Sequence, residues 1–295
     1  MKLVFLGSPS PATPTLRALV DAGHEVLGVV TQPDKRRGRG SEMIATPVAK
    51  VARELGIPVW HSLDLVSSCG ADLGVVVAYG KLIPKSLLDV VPMINVHFSL
   101  LPKWRGAAPV ERALLAGDVE TGVCIMGLEA GLDTGPIFAQ TETPLGQKTS
   151  LELLNELADL GARLCVEVVS QSPLPVPRPQ EGEATYAAKL TPQDFVLEPD
   201  DSAEMLVRVV RLGRAFTYIN SQRVRIHGAV LDSEVPGTPG TVTFDHGLRL
   251  HARDGSIAVN NLQSEGSRRL DSGDWWRGAR LGEPIRWGSA TLNVG

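Results

Sequence analysis

The sequence predicts an α/β chain in two parts: a Rossmann-like domain on a parallel-rich sheet, then a small C-terminal OB-like β-barrel. Three observations predict it. Over the first two-thirds, short β-branched runs alternate with helical patterns, as in a parallel sheet covered by helices. The stretch QSPLPVPRPQEGEATYAAKLTPQDFVLEPDD is rich in Pro and acidic residues, has no sustained period and reads as an extended, stiff linker. After it come five short strands separated by tight polar turns. The first domain is therefore expected over 1–180, the linker over 181–200 and the second domain over 201–295.

The strands of the first domain are expected at Leu3 to Leu6, Val26 to Thr31, Val75 to Ala78, Ile94 to His97 and Val123 to Met126. Between them PTLRALVDAG, PVAKVARELG and PVERALLAG each begin at Pro and stop at Gly, the usual asymmetry of helix ends. A longer helix starts at Ser150, where Thr149 and Glu152 have capping-box spacing and Leu153, Leu157, Leu160 and Leu164 keep a helical period. Beyond Ser202 a short helix runs to Leu212. The strands FTYIN, RVRIHGAV, GTVTF, LRLHARD and SIAVNNL then suit a small barrel, with a sandwich as the rival.

Composition narrows the function classes. With 295 residues and 43% hydrophobic content the chain can bury a sizeable core. No apolar run reaches the ~18 to 20 residues of a membrane span, and MKLVFLGSPS reads as a first strand and not a signal peptide, so a cytoplasmic address is expected. Cys69, Cys124 and Cys165 are odd in number and far apart, which suits buried reduced thiols and neither zinc nor a disulfide frame. A net charge of -4 argues against a generic nucleic-acid binder while leaving room for a local basic site. The first strand runs into GSPSPATP and not a Gly-x-Gly-x-x-Gly turn, which excludes the dehydrogenase reading.

A doubly wound sheet presents its ligands at the carboxyl ends of its strands. The densest such loop is INVHFSLLPKWRGAAPVERALLAGD. Asn95 and His97 lie two apart on one strand and so share a face. Downstream, GLDTGPIF sets Asp133 between Gly131 and Gly135 in a tight turn. An amide, an imidazole and a carboxylate meet the needs of acyl transfer to an amine: an oxyanion donor, a proton route and protonation of the leaving nitrogen. In that reading Asn95 and His97 hold the oxyanion, and Asp133 orients His97 and favours its charged form. By spacing alone the trio is equally well a turn cap, a satisfied core histidine and a turn former.

The wider motifs decide between these. INVHFSLLPKWRGAAP, TGVCIMGLEAGLDTG, VVVAYGKLIP and TQPDKRRGRG together closely resemble the methionyl-tRNA formyltransferase family, over nearly the whole chain. The resemblance implies a formyltransferase domain followed by a tRNA-contacting barrel, with Asn95, His97 and Asp133 as catalytic residues. It places folate contacts on Ser99, Leu100, Leu101 and Pro102, and Trp104, Arg105 and Gly106 continue the match. It further implies a monomer that takes a formyl group from 10-formyltetrahydrofolate, uses no metal, and delivers the group to the amino group of methionyl initiator tRNA. Asn-x-His, Ser-Leu-Leu-Pro and Leu-Asp-Thr-Gly are shared with other folate-dependent formyltransferases, so a sugar amine or other small amine is the alternative acceptor. An RNA-binding protein without catalysis is the rival from another class.

Two features bear on the acceptor. Lys35, Arg36, Arg37 and Arg39 crowd a Gly-rich loop that resembles the family's loop entering the tRNA acceptor stem. From Asp201 onward the chain carries 12 Arg and no Lys against 10 acidic residues, a balance of +2 that leaves -6 for the remainder. Arg suits bidentate phosphate contact, though the whole chain favours Arg over Lys. Trp275 and Trp276 are expected to pack and not to stack on bases. The departures from the family are Phe98 for a usual Gly, which predicts a bulkier loop and a narrowed folate entrance, GSPSPAT for a Gly-Thr-Pro turn, and Cys124 for a frequent Thr.

Overall fold

The computed structural model describes residues 1–36, 43–232, 237–245 and 247–289. The chain divides into two compact units: Met1–Arg112 with Val119–Gly146 and Glu152–Lys189, and Ala113–Asp118 with Gln147–Leu151 and Leu190–Gly295.

In chain order the elements begin with β1 (Lys2–Gly7), α1 (Thr13–Asp21), β2 (Glu25–Val30), β3 (Lys35–Arg36), β4 (Met43–Ile44), α2 (Pro47–Glu54) and β5 (Val59–Trp60). There follow β6 (Leu73–Val77), α3 (Lys85–Leu88), β7 (Met93–His97), β8 (Arg105–Gly106), α4 (Pro109–Ala116), β9 (Glu120–Gly127), β10 (Ile137–Pro144), α5 (Ser150–Val169) and β11 (Tyr186–Ala187). The seven-stranded sheet of the first unit runs β10-β9-β7-β6-β1-β2-β5. From β5 to β7 its pairs are parallel, and β7, β9 and β10 pair antiparallel.

The strands are apolar runs because both faces are covered. On one face Val4, Leu6, Val30, Val76 and Met93 pack with Val66, Tyr79 and Leu87. Under β7 and β9 the cover is α5, whose buried stripe is Leu153, Leu157, Ala158, Gly161, Ala162, Cys165 and Val168. The expected leucine stripe is therefore displaced: Leu160 and Leu164 are only half-buried. Close approach explains the small residues, since a Cβ on Gly161 would stand 2.6 Å from Val96 Cγ1. The sequence reading missed β5 and β10. Two residues are too few for a period, and β10 is an edge strand carrying Gln140, Glu142 and Pro144.

The second unit holds α6 (Ala203–Arg211), β12 (Phe216–Ile219), β13 (Gln222–Asp232), β14 (Val242–Phe244), β15 (Leu248–Ala252), β16 (Gly255–Ser264), β17 (Leu270–Asp271) and α7 (Ser272–Gly278). Its antiparallel sheet runs β12-β13-β16-β15-β14, and β17 adds to β16. Single bridges join Ile219 to Trp287 and Thr241 to Arg286, so one short stretch pairs with both ends of the sheet. That closure favours a barrel over a sandwich. Trp287 fills the interior with Leu206, Ile226, Leu250 and Ile257, and its indole N–H donates to the carbonyl of His251 at 3.1 Å. Trp275 is buried and Trp276 stacks on Phe244 at 5.1 Å, so both tryptophans pack.

Candidate active site

β7 carries Asn95 and His97 to its carboxyl end, in register with Met126 and Cys124 of β9. Strand alternation turns both to one face while Val96 points to α5. His97 is buried. Its Nε2–H donates to the carbonyl of Trp104 at 3.0 Å, and Nδ1 lies 3.7 Å from Asp133 Oδ2. The neutral imidazole therefore carries its proton on Nε2, and Nδ1 is the basic nitrogen facing the carboxylate.

The Trp104 carbonyl is aimed by the loop after β7. Ser99 Oγ donates to the carbonyl of Lys103 at 2.6 Å, the Leu101 N–H reaches Cys124 Sγ at 3.4 Å, and the Lys103 N–H reaches the carbonyl of Leu100 at 3.1 Å. Trp104 itself has φ +62°, a left-handed conformation unusual for a bulky side chain. Its N–H is held by Thr185 Oγ1 at 2.9 Å.

Asp133 arrives from the loop between β9 and β10, also left-handed at φ +50°. Its Oδ2 accepts the Gly106 N–H at 2.8 Å. Gln180 donates to the carbonyls of Asp133 at 2.8 Å and Gly135 at 2.9 Å, and its own oxygen accepts from Arg105 Nε and Nη2 at 3.1 and 2.6 Å. Gly135 is required there, because a Cβ would stand 1.8 Å from the carbonyl oxygen of Gly127.

Burial pushes the His97 pKa below its usual 6.5, against the opposing pull of Asp133 and of the Trp104 carbonyl. Asp133 favours the charged imidazole as the sequence suggests, but desolvation is the larger influence and the resting ring is neutral near pH 7.

The formyl transferase model matches residues 1–169, and the formyl transferase C-terminal domain model matches 189–280. The chain belongs to the formyl transferase family. A methionyl-tRNA formyltransferase of Rhizorhabdus wittichii is 42% identical over 94% of this chain and 95% of its own. One from Thermus thermophilus is 40% identical over 98% and 99%. Among solved structures, the methionyl-tRNA formyltransferase from Clostridium thermocellum shares the fold at 18% identity and TM-score 0.56, over 79% of this chain and 94% of that one. The N-formyltransferase from Helicobacter canadensis, complexed with folinic acid and dTDP-3-aminofucose, does so at 18% identity and TM-score 0.70, over 90% and 99%. HypX from Aquifex aeolicus with tetrahydrofolic acid has TM-score 0.64 at 17% identity; the match covers 93% of this chain, which spans 46% of that longer one.

In this formyl transferase the other expected site residues divide. Ser99 and Leu101 face inward, Leu101 packing with Cys124, Met126 and Ile137, while Leu100 and Pro102 stay half-exposed. Phe98 also turns inward, its ring 3.6 Å from where a Cβ on Gly161 would stand, so its bulk goes into the core beside α5. In the GSPSPAT turn, Ser8 Oγ accepts the Gln32 N–H at 3.1 Å. Cys124 and Cys165 are buried free thiols with pKa pushed up by burial to about 11 and about 12, whereas Cys69 is only half-buried. Lys35 and Arg36 form β3, paired with β4; Arg37 and Arg39 lie outside the described residues. No helix among the described residues is long and apolar enough to cross a membrane.

Sequence reasoning missed Gln180 and Thr185. Thr185 falls in the expected linker and Gln180 at its border, in a Pro-rich stretch with no period, and β11 within that stretch pairs with β8. It also missed a cleft of about 420 Å³ on the second unit, lined by Arg214, Arg223, Arg225, Phe195 and Phe216, with Glu265 at its side. There Arg214 lies over the Phe195 ring at 4.6 Å and Arg223 over Phe216 at 4.1 Å.

Proposed function

We propose that this formyl transferase moves the formyl group of 10-formyltetrahydrofolate onto the free amino group of methionyl initiator tRNA, as a cytoplasmic monomer. The observation that carries the chemistry is the placing of His97 between the Trp104 carbonyl and the Asp133 carboxylate. The acceptor is supported by relatives bearing that name at about 40% identity from end to end. A sugar amine has weaker support, from the shared motifs and from folds at 17–18% identity. The test is a purified-enzyme assay with formylfolate that compares methionyl initiator tRNA with a nucleotide-linked amino sugar. Preferential formylation of the sugar would overturn the acceptor.

The half-exposed Leu100 and Pro102 offer apolar surface for a flat pterin, and Ser99 and Leu101 fix the turn that presents them. When bound, the co-substrate supplies an activated formyl carbonyl and a leaving nitrogen. The Asn95 amide N–H donates to the carbonyl oxygen as negative charge develops there. His97 Nδ1 takes the proton released by the attacking amine, directly or through one water, and returns it to the leaving nitrogen. Between those transfers the imidazolium is held by the Asp133 carboxylate on one side and the Trp104 carbonyl on the other. Because the Nε2 hydrogen is already given to Trp104, the geometry favours His97 as proton carrier and leaves oxyanion stabilisation to Asn95.

For the tRNA, the basic residues Lys35, Arg36, Arg37 and Arg39 are assigned to the acceptor end. Arg214, Arg223 and Arg225 are assigned to backbone phosphates, since exposed guanidinium groups suit bidentate phosphate contact.

A further inference from the structure

We infer that Gln180 is a positioning residue for this reaction: it fixes the Asp133 carboxylate against His97 by tying the Asp133 loop to the Trp104–Gly106 loop. The inference rests on the formyl-transfer reading above. A primary amide has two N–H donors and one acceptor oxygen, and Gln180 uses all of them here. Its Nε2 bonds the carbonyls of Asp133 at 2.8 Å and Gly135 at 2.9 Å. Its Oε1 takes both Nε and Nη2 of Arg105, the residue between Trp104 and Gly106. Asp133 is thereby held at both ends, its carbonyl by Gln180 and its carboxylate by the Gly106 N–H.

The two loops that Gln180 joins are the two that contact the imidazole: one supplies the acceptor for Nε2–H and the other the carboxylate facing Nδ1. No other side chain type repeats the arrangement at this length. A carboxylate would accept from Arg105 but could not donate to the two carbonyls. The same segment pins the first loop a second time, because Thr185 Oγ1 accepts the Trp104 N–H and the Thr185 carbonyl accepts the Arg105 N–H at 2.9 Å.

The test compares wild type with Gln180→Ala and Gln180→Glu, using methionyl initiator tRNA and formylfolate over a pH series, with thermal melting alongside. Both variants should lose roughly 10- to 100-fold in kcat, as a displaced catalytic group does, with KM for each substrate kept. Release of Asp133 also weakens its pull on His97, so in Gln180→Ala, which adds no charge, the acid limb of the kcat profile should move to lower pH. A near-normal kcat, a loss confined to KM, or a lowered kcat with the acid limb in place overturns the positioning role. Should Gln180→Ala melt early, Gln180→Met fills the same space with no hydrogen bond and no change of charge, and it must give the same shift. A wild-type enzyme without formyl transfer would instead overturn the reading on which this rests.

Discussion

The Nε2–H of His97 is given to the carbonyl of Trp104 at 3.0 Å, which leaves Nδ1 as the only nitrogen of the ring able to take a proton. Burial holds the His97 pKa below 6.5, so the neutral, proton-accepting form prevails at and above neutrality. A proton carrier that must start neutral loses activity as the pH falls through its lowered pKa. The kcat profile is therefore expected to be flat for this group near pH 7 and to fall only on the acid side, below 6.5. An imidazole proton of His97 that titrates above 6.5 by NMR would contradict a neutral resting ring.

Asp133→Asn tests the carboxylate without emptying its place. The asparagine oxygen can still accept the Gly106 N–H that Asp133 Oδ2 accepts at 2.8 Å, so thermal stability should change little. The imidazolium would lose its counter-charge, and kcat should drop by about 10²- to 10⁴-fold with folate binding largely kept. His97→Ala should do the same. Turnover near wild type in either variant would remove the residue from the mechanism.

Much of this was legible in the sequence because it follows from local pattern. The apolar runs of β1, β6 and β7 and the Asn95-x-His97 spacing determine a sheet and one face of it. Asp133 could be paired with them only through family resemblance, since it lies 36 positions after His97 and no periodicity spans such a gap. Gln180 and Thr185 were illegible for a different reason. Their segment has no regular period, and its backbone bonds go to β8, Ile137 and side chains instead of to a neighbouring turn. The reversal of the His97 charge preference was likewise hidden, because spacing shows that a carboxylate can approach but not how dry the ring is.

Gly135→Ala should damage both stability and turnover. The added methyl would fall 1.8 Å from the carbonyl oxygen of Gly127, so backbone must move, and the loop that moves carries Asp133. Overpacking of this kind costs about 1–3 kcal/mol. The loss in kcat should exceed what partial unfolding explains at the assay temperature, measured as specific activity of the folded fraction. An alanine variant with wild-type kcat would mean that the Asp133 loop has slack and that its register does not set the rate.

The arginine cleft of the second unit gives the last prediction. Arg214, Arg223 and Arg225 are all exposed, and the first and second already rest on aromatic rings that limit their freedom. If they meet tRNA phosphates, each releases counterions on binding, and each contact adds about 0.7 to 0.9 to the slope of log affinity against log salt. Changing all three to Gln should therefore raise KM for tRNA most at low salt and flatten that slope by about 2 to 3. KM for formylfolate should not move, because that substrate is too small to need a phosphate track. Some stability should also be lost, about 0.5–1 kcal/mol for each cation–π contact removed, and a melt taken beside the kinetics separates this from binding. A triple variant with an unchanged salt slope would return the cleft to a purely structural role and leave phosphate recognition to the basic residues from Lys35 to Arg39.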